Sequence, residues 1–212
     1  MIWIDKQQEP ASWIQRRLTP NVTYEATPDL RESLLKEQGY ICAYCMRRIP
    51  TSDAPHEQAE SKIEHLRSRE HHPNLQMDYS NMVICCPGRM VGNIHCDASK
   101  EEKDIQCSPL SQAAMSTIQY SNDGTIKSTN VVYDAEINDV LNLNVGVLKD
   151  NRKSVWESVR DRIQREGNWH MSYVRRVLDE YRSFDADGRK KPYCGIVIYK
   201  LTKKLRQCGV MV

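Results

Sequence analysis

Between positions 42 and 97 the chain concentrates residue types that bind metal ions. Cys42 and Cys45 form a C-x-x-C pair, and Glu64-His65, Asn81, Cys85-Cys86 and His95-Cys96-Asp97 follow. Zinc takes four soft or borderline ligands in a tetrahedron, and a C-x-x-C turn supplies two sulfurs at bite distance. A second pair from further along would fold the intervening chain back onto that turn. Cys86 and Cys96 suit a strand end and a helix start. The stretch between them, Pro87 to His95, is wider than the usual spacing and must loop out, which Gly88 and Gly92 allow. Cys85 competes with Cys86, and His95 with Cys96. Alternation along a strand leaving Asn81 puts Asn81 and Cys85 on one face and Cys86 on the other, which favours Cys86.

The remaining composition bounds the setting. With 212 residues, 40% of them hydrophobic, the chain suffices for one domain or one domain with a large extension. A net charge of +2 does not announce a nucleic-acid partner, so local clusters must carry that inference. No apolar run is long enough for a bilayer span, and MIWIDKQQEP lacks the basic-then-apolar pattern of a signal peptide. A cytoplasmic location is therefore expected. In a reducing compartment eight cysteines point to metal rather than to disulfides. Cys107, Cys194 and Cys208 lie apart from the cluster and read as buried or free thiols.

Along the chain, Trp13, Ile14 and Leu18 fit a short amphipathic helix. Thr27-Pro28 reads as an N-cap and first helical position, Leu30, Leu34 and Leu35 share a face, and Gly39 stops the helix. Residues 51–60 and 67–74 read as loop, 62–66 and 82–84 as short strands, Pro87 to Asn93 as loop, and Asp97 to Asp104 as one or two helical turns. Ile118 to Ile126 alternates around Asn122-Asp123-Gly124, a hairpin pattern. From Ile137 the spacing is helical, with Val155, Val159 and Ile163 on one stripe and Met171, Val174, Val177, Leu178 and Tyr181 on another. Asp185 to Gly188 is a turn, and Ile196 to Leu205 a final short element. The expected class is α+β, with an N-terminal helical segment over 1–40, a zinc-stapled core with its hairpin over 41–130 and a helical region over 131–212.

The residues between the cysteines suggest chemistry. Hydrolysis of a phosphodiester needs an activated water, neutralisation of phosphate charge and help for the leaving oxygen. A divalent cation on hard oxygen ligands supplies the last two. Glu64 and Asp97 offer such oxygens. His65, with a pKa near neutrality, can take the proton from water, and Asn81 can hold it in place by bonding backbone on the facing strand. Lys62, Arg67, Arg69 and Lys100, with Lys103, flank this set and are placed for phosphates. His71-His72 reads as a pair of exposed loop histidines. Arg189 to Lys191 and Lys200 to Arg206 form a second basic zone.

CAYC, EHLRSR, DYSNMVICC and HCDASK in this order resemble the HNH endonuclease family and its ββα-metal fold. The resemblance implies Glu64 and Asp97 as ligands of a catalytic Mg²⁺ or Mn²⁺ and His65 as general base, beside a structural Zn²⁺ on Cys42, Cys45, Cys86 and Cys96. The family more often carries Asn or His at the last position, so Asp97 is a departure that keeps an oxygen ligand and adds negative charge. With the hairpin and INDVLNLNVGVLKDNRKSVWESV added, positions 28–165 resemble the PtuB family, the HNH subunit of Septu antiphage systems, also found beside some retron reverse transcriptases. That resemblance implies an ABC-type ATPase partner, PtuA, docked on the helical region. It also implies a nucleic-acid substrate, DNA ahead of RNA, and for retron-linked members a reverse transcriptase with its msDNA. A free-standing restriction-type nuclease and a non-catalytic zinc module for binding nucleic acid or protein are the competing expectations.

Overall fold

The structure, a computed structural model, describes residues 1–50, 61–90 and 92–211 and is mixed α+β. The expected loop at 51–60 lies outside the described residues. Helix α1 (Ala11–Arg17) buries Trp13, whose indole N–H donates to the Met77 carbonyl at 3.1 Å. Leu18 was expected on the same face. It falls instead at the helix end, 67% exposed, because the helix stops one residue short of it. Helix α2 (Pro28–Gln38) follows its sequence signals closely. Thr27 Oγ1 accepts from the Leu30 amide, Pro28 fills the first position, and Gly39 adopts φ 63° to end it. Its buried leucines, Leu30, Leu34 and Leu35, face the core.

Strands β1 (Lys62–His65) and β2 (Met82–Cys85) pair antiparallel, with His65 opposite Met82 and Lys62 opposite Cys85. Every residue of β2 is buried, so its free edge must find partners inside the protein. Gln38 supplies them. Its side chain accepts from Ile84 N at 2.8 Å and donates to Ile84 O at 2.8 Å, while Ala43 N also reaches Ile84 O. The last turn of α2 thereby joins β2 to the C-x-x-C knuckle, which closes on itself through Cys42 N to Arg47 O and Met46 N to Cys42 O.

Pro87 to Asn93, expected as loop, contributes to a minimal ladder instead. Strands β3 (Arg89–Met90) and β4 (Asn93–Ile94) pair Arg89 with Ile94 and Met90 with Asn93. Gly88 makes this possible. At φ 69° its missing Cβ would lie 2.0 Å from the His95 carbonyl, and its own carbonyl accepts from His95 N. That close approach returns the chain to Cys96, after which α3 (Asp97–Lys100) makes a single turn.

Helix α4 (Gln112–Ser116), strands β5 (Ile118–Tyr120) and β6 (Ile126–Ser128) and helix α5 (Val131–Ala135) lead into the helical half. That half comprises α6 (Gly146–Arg162), α7 (Met171–Arg182) and α8 (Cys194–Gln207). The expected stripes are largely inward: Val159 and Ile163, then Val174, Val177 and Leu178, are buried. The final element is a full helix, longer than the expected 196–205, because Tyr193 turns left-handed and starts it two residues earlier. Buried apolar residues from Met1 to Leu205 form one cluster. No helix among the described residues is long and apolar enough to cross a membrane.

Arg152 on α6 is 1% exposed and faces carbonyls rather than a carboxylate. It donates to Gly124 O at 2.6 Å, Leu143 O at 2.8 Å and Asn144 Oδ1 at 3.2 Å, tying the β5–β6 turn to the segment entering α6. Arg152→Ala orphans two buried carbonyls and opens a cavity. It should lower unfolding free energy by about 3 kcal/mol or more in urea denaturation. An unchanged midpoint would show that the hairpin is not anchored there.

Candidate metal centre

The knuckle places Cys42 and Cys45 on one side, and the end of β2 and the start of α3 bring Cys86 and Cys96 to the other. One ligand atom from each lies within 4.8 Å of the others, and all four residues are buried. The Sγ–Sγ distances are 3.9 Å for Cys42–Cys96 and 3.7 Å for Cys45–Cys86. A tetrahedron with zinc–sulfur bonds of about 2.3 Å has edges of about 3.8 Å, which these two separations match, so the four residues could hold zinc. The separations are far too long for disulfides. Burial opposes ionisation of Cys42, but hydrogen bonds from Cys45, Cys85, Cys86 and Cys96 outweigh it and hold its thiol well below the ordinary range. Cys85, the competing candidate, is pushed well above that range by burial and by Cys42, and stands outside the tetrahedral set. His95 is not a member either. Its Nδ1 lies 3.1 Å from Cys96 Sγ, and its Nε2 is buried without a partner among the described residues.

Beside this centre, strand alternation sends the Glu64 and His65 side chains from β1 in opposite directions. Glu64 is buried against Tyr44 Oη at 3.2 Å, Lys100 Nζ at 2.8 Å and the Asp97 carboxyl group. Burial and Asp97 together push its pKa up to about 8, against the opposing pull of Lys100. Asp97 also pairs with Lys62 at 3.1 Å. The two carboxylates expected to share a cation are thus neighbours, each already paired with an ammonium group. Glu64, His65 and Asp97 do not form a three-ligand group in the sense that the cysteines do.

The His65 ring packs edge-on against Tyr24, with centroids 4.6 Å apart, and its Nε2 lies 3.0 Å from the Gln76 carbonyl. A carbonyl only accepts, so Nε2 carries the proton and Nδ1 keeps the lone pair. Burial lowers the ring's pKa to about 4. The bond to Gln76 opposes that shift, and the positive charges of Arg69 and Lys100 reinforce it. The ring therefore stays neutral at pH 7 and gains its charge only as pH falls through about 4. Imidazole ¹⁵N NMR should show the Nε2–H tautomer at pH 7 and a midpoint near 4; titration near 6.5 would mean that the ring is solvated.

Asn81 bonds backbone as expected, at the segment that continues β1. Its Oδ1 accepts from Arg67 N at 2.8 Å, and its Nδ2 donates to Arg67 O at 3.0 Å and Leu75 O at 3.3 Å. It holds the loop that carries Gln76 and so acts on His65 through that carbonyl. Lys100, expected at a phosphate, is 1% exposed; besides Glu64 it donates to the His65 carbonyl at 3.1 Å. It is a buried counter-ion, and that expectation is corrected. Lys62, Arg67 and Arg69 are exposed. Arg67 pairs with Asp104 at 3.3 Å, and Arg69 lies over the Tyr24 ring. His72, read as a solvated loop residue, bonds Asp104 at 2.6 Å. Tyr44, Tyr24, Gln76 and Asp104 escaped the sequence reasoning. Only Tyr44, inside C-x-x-C, carries a positional hint; the others meet their partners through tertiary folding. No family model and no curated protein matches the chain.

Proposed function

We propose that this chain is an HNH-type, metal-dependent endonuclease on a zinc-stapled ββα core. The observation that carries the reading is the β1–β2 hairpin with α3, bracketed by four thiols, which sets Glu64 and Asp97 side by side. Glu64 and Asp97 would hold Mg²⁺ or Mn²⁺, which supplies charge neutralisation on the phosphate and help for the leaving oxygen. Lys100 must then yield its place at Glu64. His65 Nδ1 accepts the proton of the attacking water, and Gln76 keeps the ring in the tautomer that permits it. Because the His65 ring leaves β1 on the side opposite Glu64, which meets Asp97 of α3, a phosphodiester must lie across the end of that strand to meet both. Lys62, at the start of β1 beside Asp97, and Arg69, beyond its end, are exposed and suit the phosphates on either side.

Resemblance extends the proposal to antiphage defence, with an ABC-type ATPase of the PtuA kind docked on the helical region and a cytoplasmic setting. The test is incubation of the zinc-loaded chain, alone and co-purified with the products of neighbouring genes, with duplex DNA, single strands and tRNA. Cleavage that requires Mg²⁺ or Mn²⁺ and is lost in Glu64→Gln supports the reading; no cleavage in any combination refutes it. A second reading, a non-catalytic zinc module, is favoured by the ammonium groups already on both carboxylates. It predicts a folded, zinc-bound chain whose biological activity survives Glu64→Gln.

A further inference from the structure

A groove of about 980 Å³ lies among the N-terminal segment, the end of α2, the α4–β5 junction and α8; Glu64, His65, Asn81 and Asp97 are not among its lining residues, although the thiol-bearing Cys42 is. Along α8 it is lined by Gly195, Ile198, Tyr199, Thr202, Lys203 and Arg206. Those positions recur at three- and four-residue spacing and form one face of the helix. They span about 16 Å at 1.5 Å per residue, so the groove is elongated rather than round. Its other walls are largely apolar, with Ile2, Trp3, Met115 and Ile118 among the residues contributing.

The rim is cationic. Arg182, Lys190, Lys203 and Arg206 all border the groove, and no salt bridge engages any of them among the described residues. Among the described residues Arg182 donates to Thr202 Oγ1, and Lys190 to the Arg182 carbonyl and the face of Phe184. The acidic groups on the same border are Asp5 and Glu37, and Glu37 is already neutralised by Lys6 at 2.6 Å. An apolar trough along a helix with unpaired cations at its edge matches an amphipathic segment whose outer positions are acidic.

We infer that this groove is a docking site for an acidic amphipathic segment of a partner protein, with apolar anchors laid along α8 and carboxylates meeting Lys203, Arg206, Arg182 and Lys190. A single nucleic-acid strand stacking its bases on Trp3 or Tyr199 is the competing occupant, and competition with an oligonucleotide separates the two. The inference is independent of the nuclease reading.

The test pans a displayed library of random 16-residue peptides on the full-length zinc-loaded protein. The expected clones carry Asp or Glu outside an i, i+3/i+4, i+7 apolar stripe. Their synthetic peptides should bind at least tenfold more weakly to Ile198→Glu and to the exposed double variant Lys203→Glu/Arg206→Glu, whose circular dichroism should match wild type. A (dT)₁₂ oligonucleotide should not compete. Basic or unpatterned clones, no enrichment, binding unaffected in the double variant, or displacement by (dT)₁₂ would each overturn the docking site.

Discussion

His65→Ala should reduce nucleic-acid cleavage by about 10²- to 10⁴-fold, the usual contribution of a positioned proton acceptor. At about 1.4 kcal/mol per decade this corresponds to roughly 3–5.5 kcal/mol of barrier. The effect should fall on the turnover rate and leave substrate binding nearly unchanged, because the ring is buried against Tyr24 and Gln76 and has little surface for the ground-state substrate. His65→Asn is the companion variant, since it keeps a polar group toward Gln76 while removing the basic nitrogen. If it folds with the wild-type melting temperature and still loses turnover, the loss is chemical. Equal cleavage by wild type and either variant would remove His65 from the mechanism.

Cys42→Ser should have the larger structural effect. Structural zinc contributes an apparent 10–16 kcal/mol in small thiolate sites, whereas whole domains are stable by only about 5–15 kcal/mol. Cys42 is fully buried and joins the knuckle to Cys96 just before α3. Losing it releases the start of α3, and with it Asp97 and Lys100, from β1. The variant should bind less than one zinc per chain and lose its cooperative thermal transition in calorimetry. Chelation of wild type should reproduce that loss and readdition of zinc should reverse it. A chelated protein that melts like the loaded one would show that apolar packing alone holds the knuckle.

Much of the frame was legible where a local rule decides it. Thr27, Pro28 and Gly39 bound α2 because capping depends on a few adjacent residues. The four cysteines expected together do come together, because alternation at the end of β2 separates Cys85 from Cys86 and because Gly88 permits the return to Cys96. The carboxylate pair followed from the same geometry. What escaped depends on burial, which spacing does not encode. Lys100 has the sequence neighbourhood of a surface lysine, yet one turn of helix points it under β1 to Glu64 and the His65 carbonyl. Alternation on β1 separates His65 from Glu64, a consequence of the strand assignment that reading the two as one motif obscures. His72 and Asp104 are distant in sequence and meet only because their two loops converge.

The account rests on one ion held by Cys42, Cys45, Cys86 and Cys96. Zinc K-edge X-ray absorption on the purified full-length chain, with metal content determined on the same sample, addresses it directly. The expected result is one zinc per chain with four sulfur neighbours at about 2.3 Å and no nitrogen in the first shell. A mixed sulfur–nitrogen shell, which would bring His95 in as a ligand, or substoichiometric zinc in a folded protein, would contradict it.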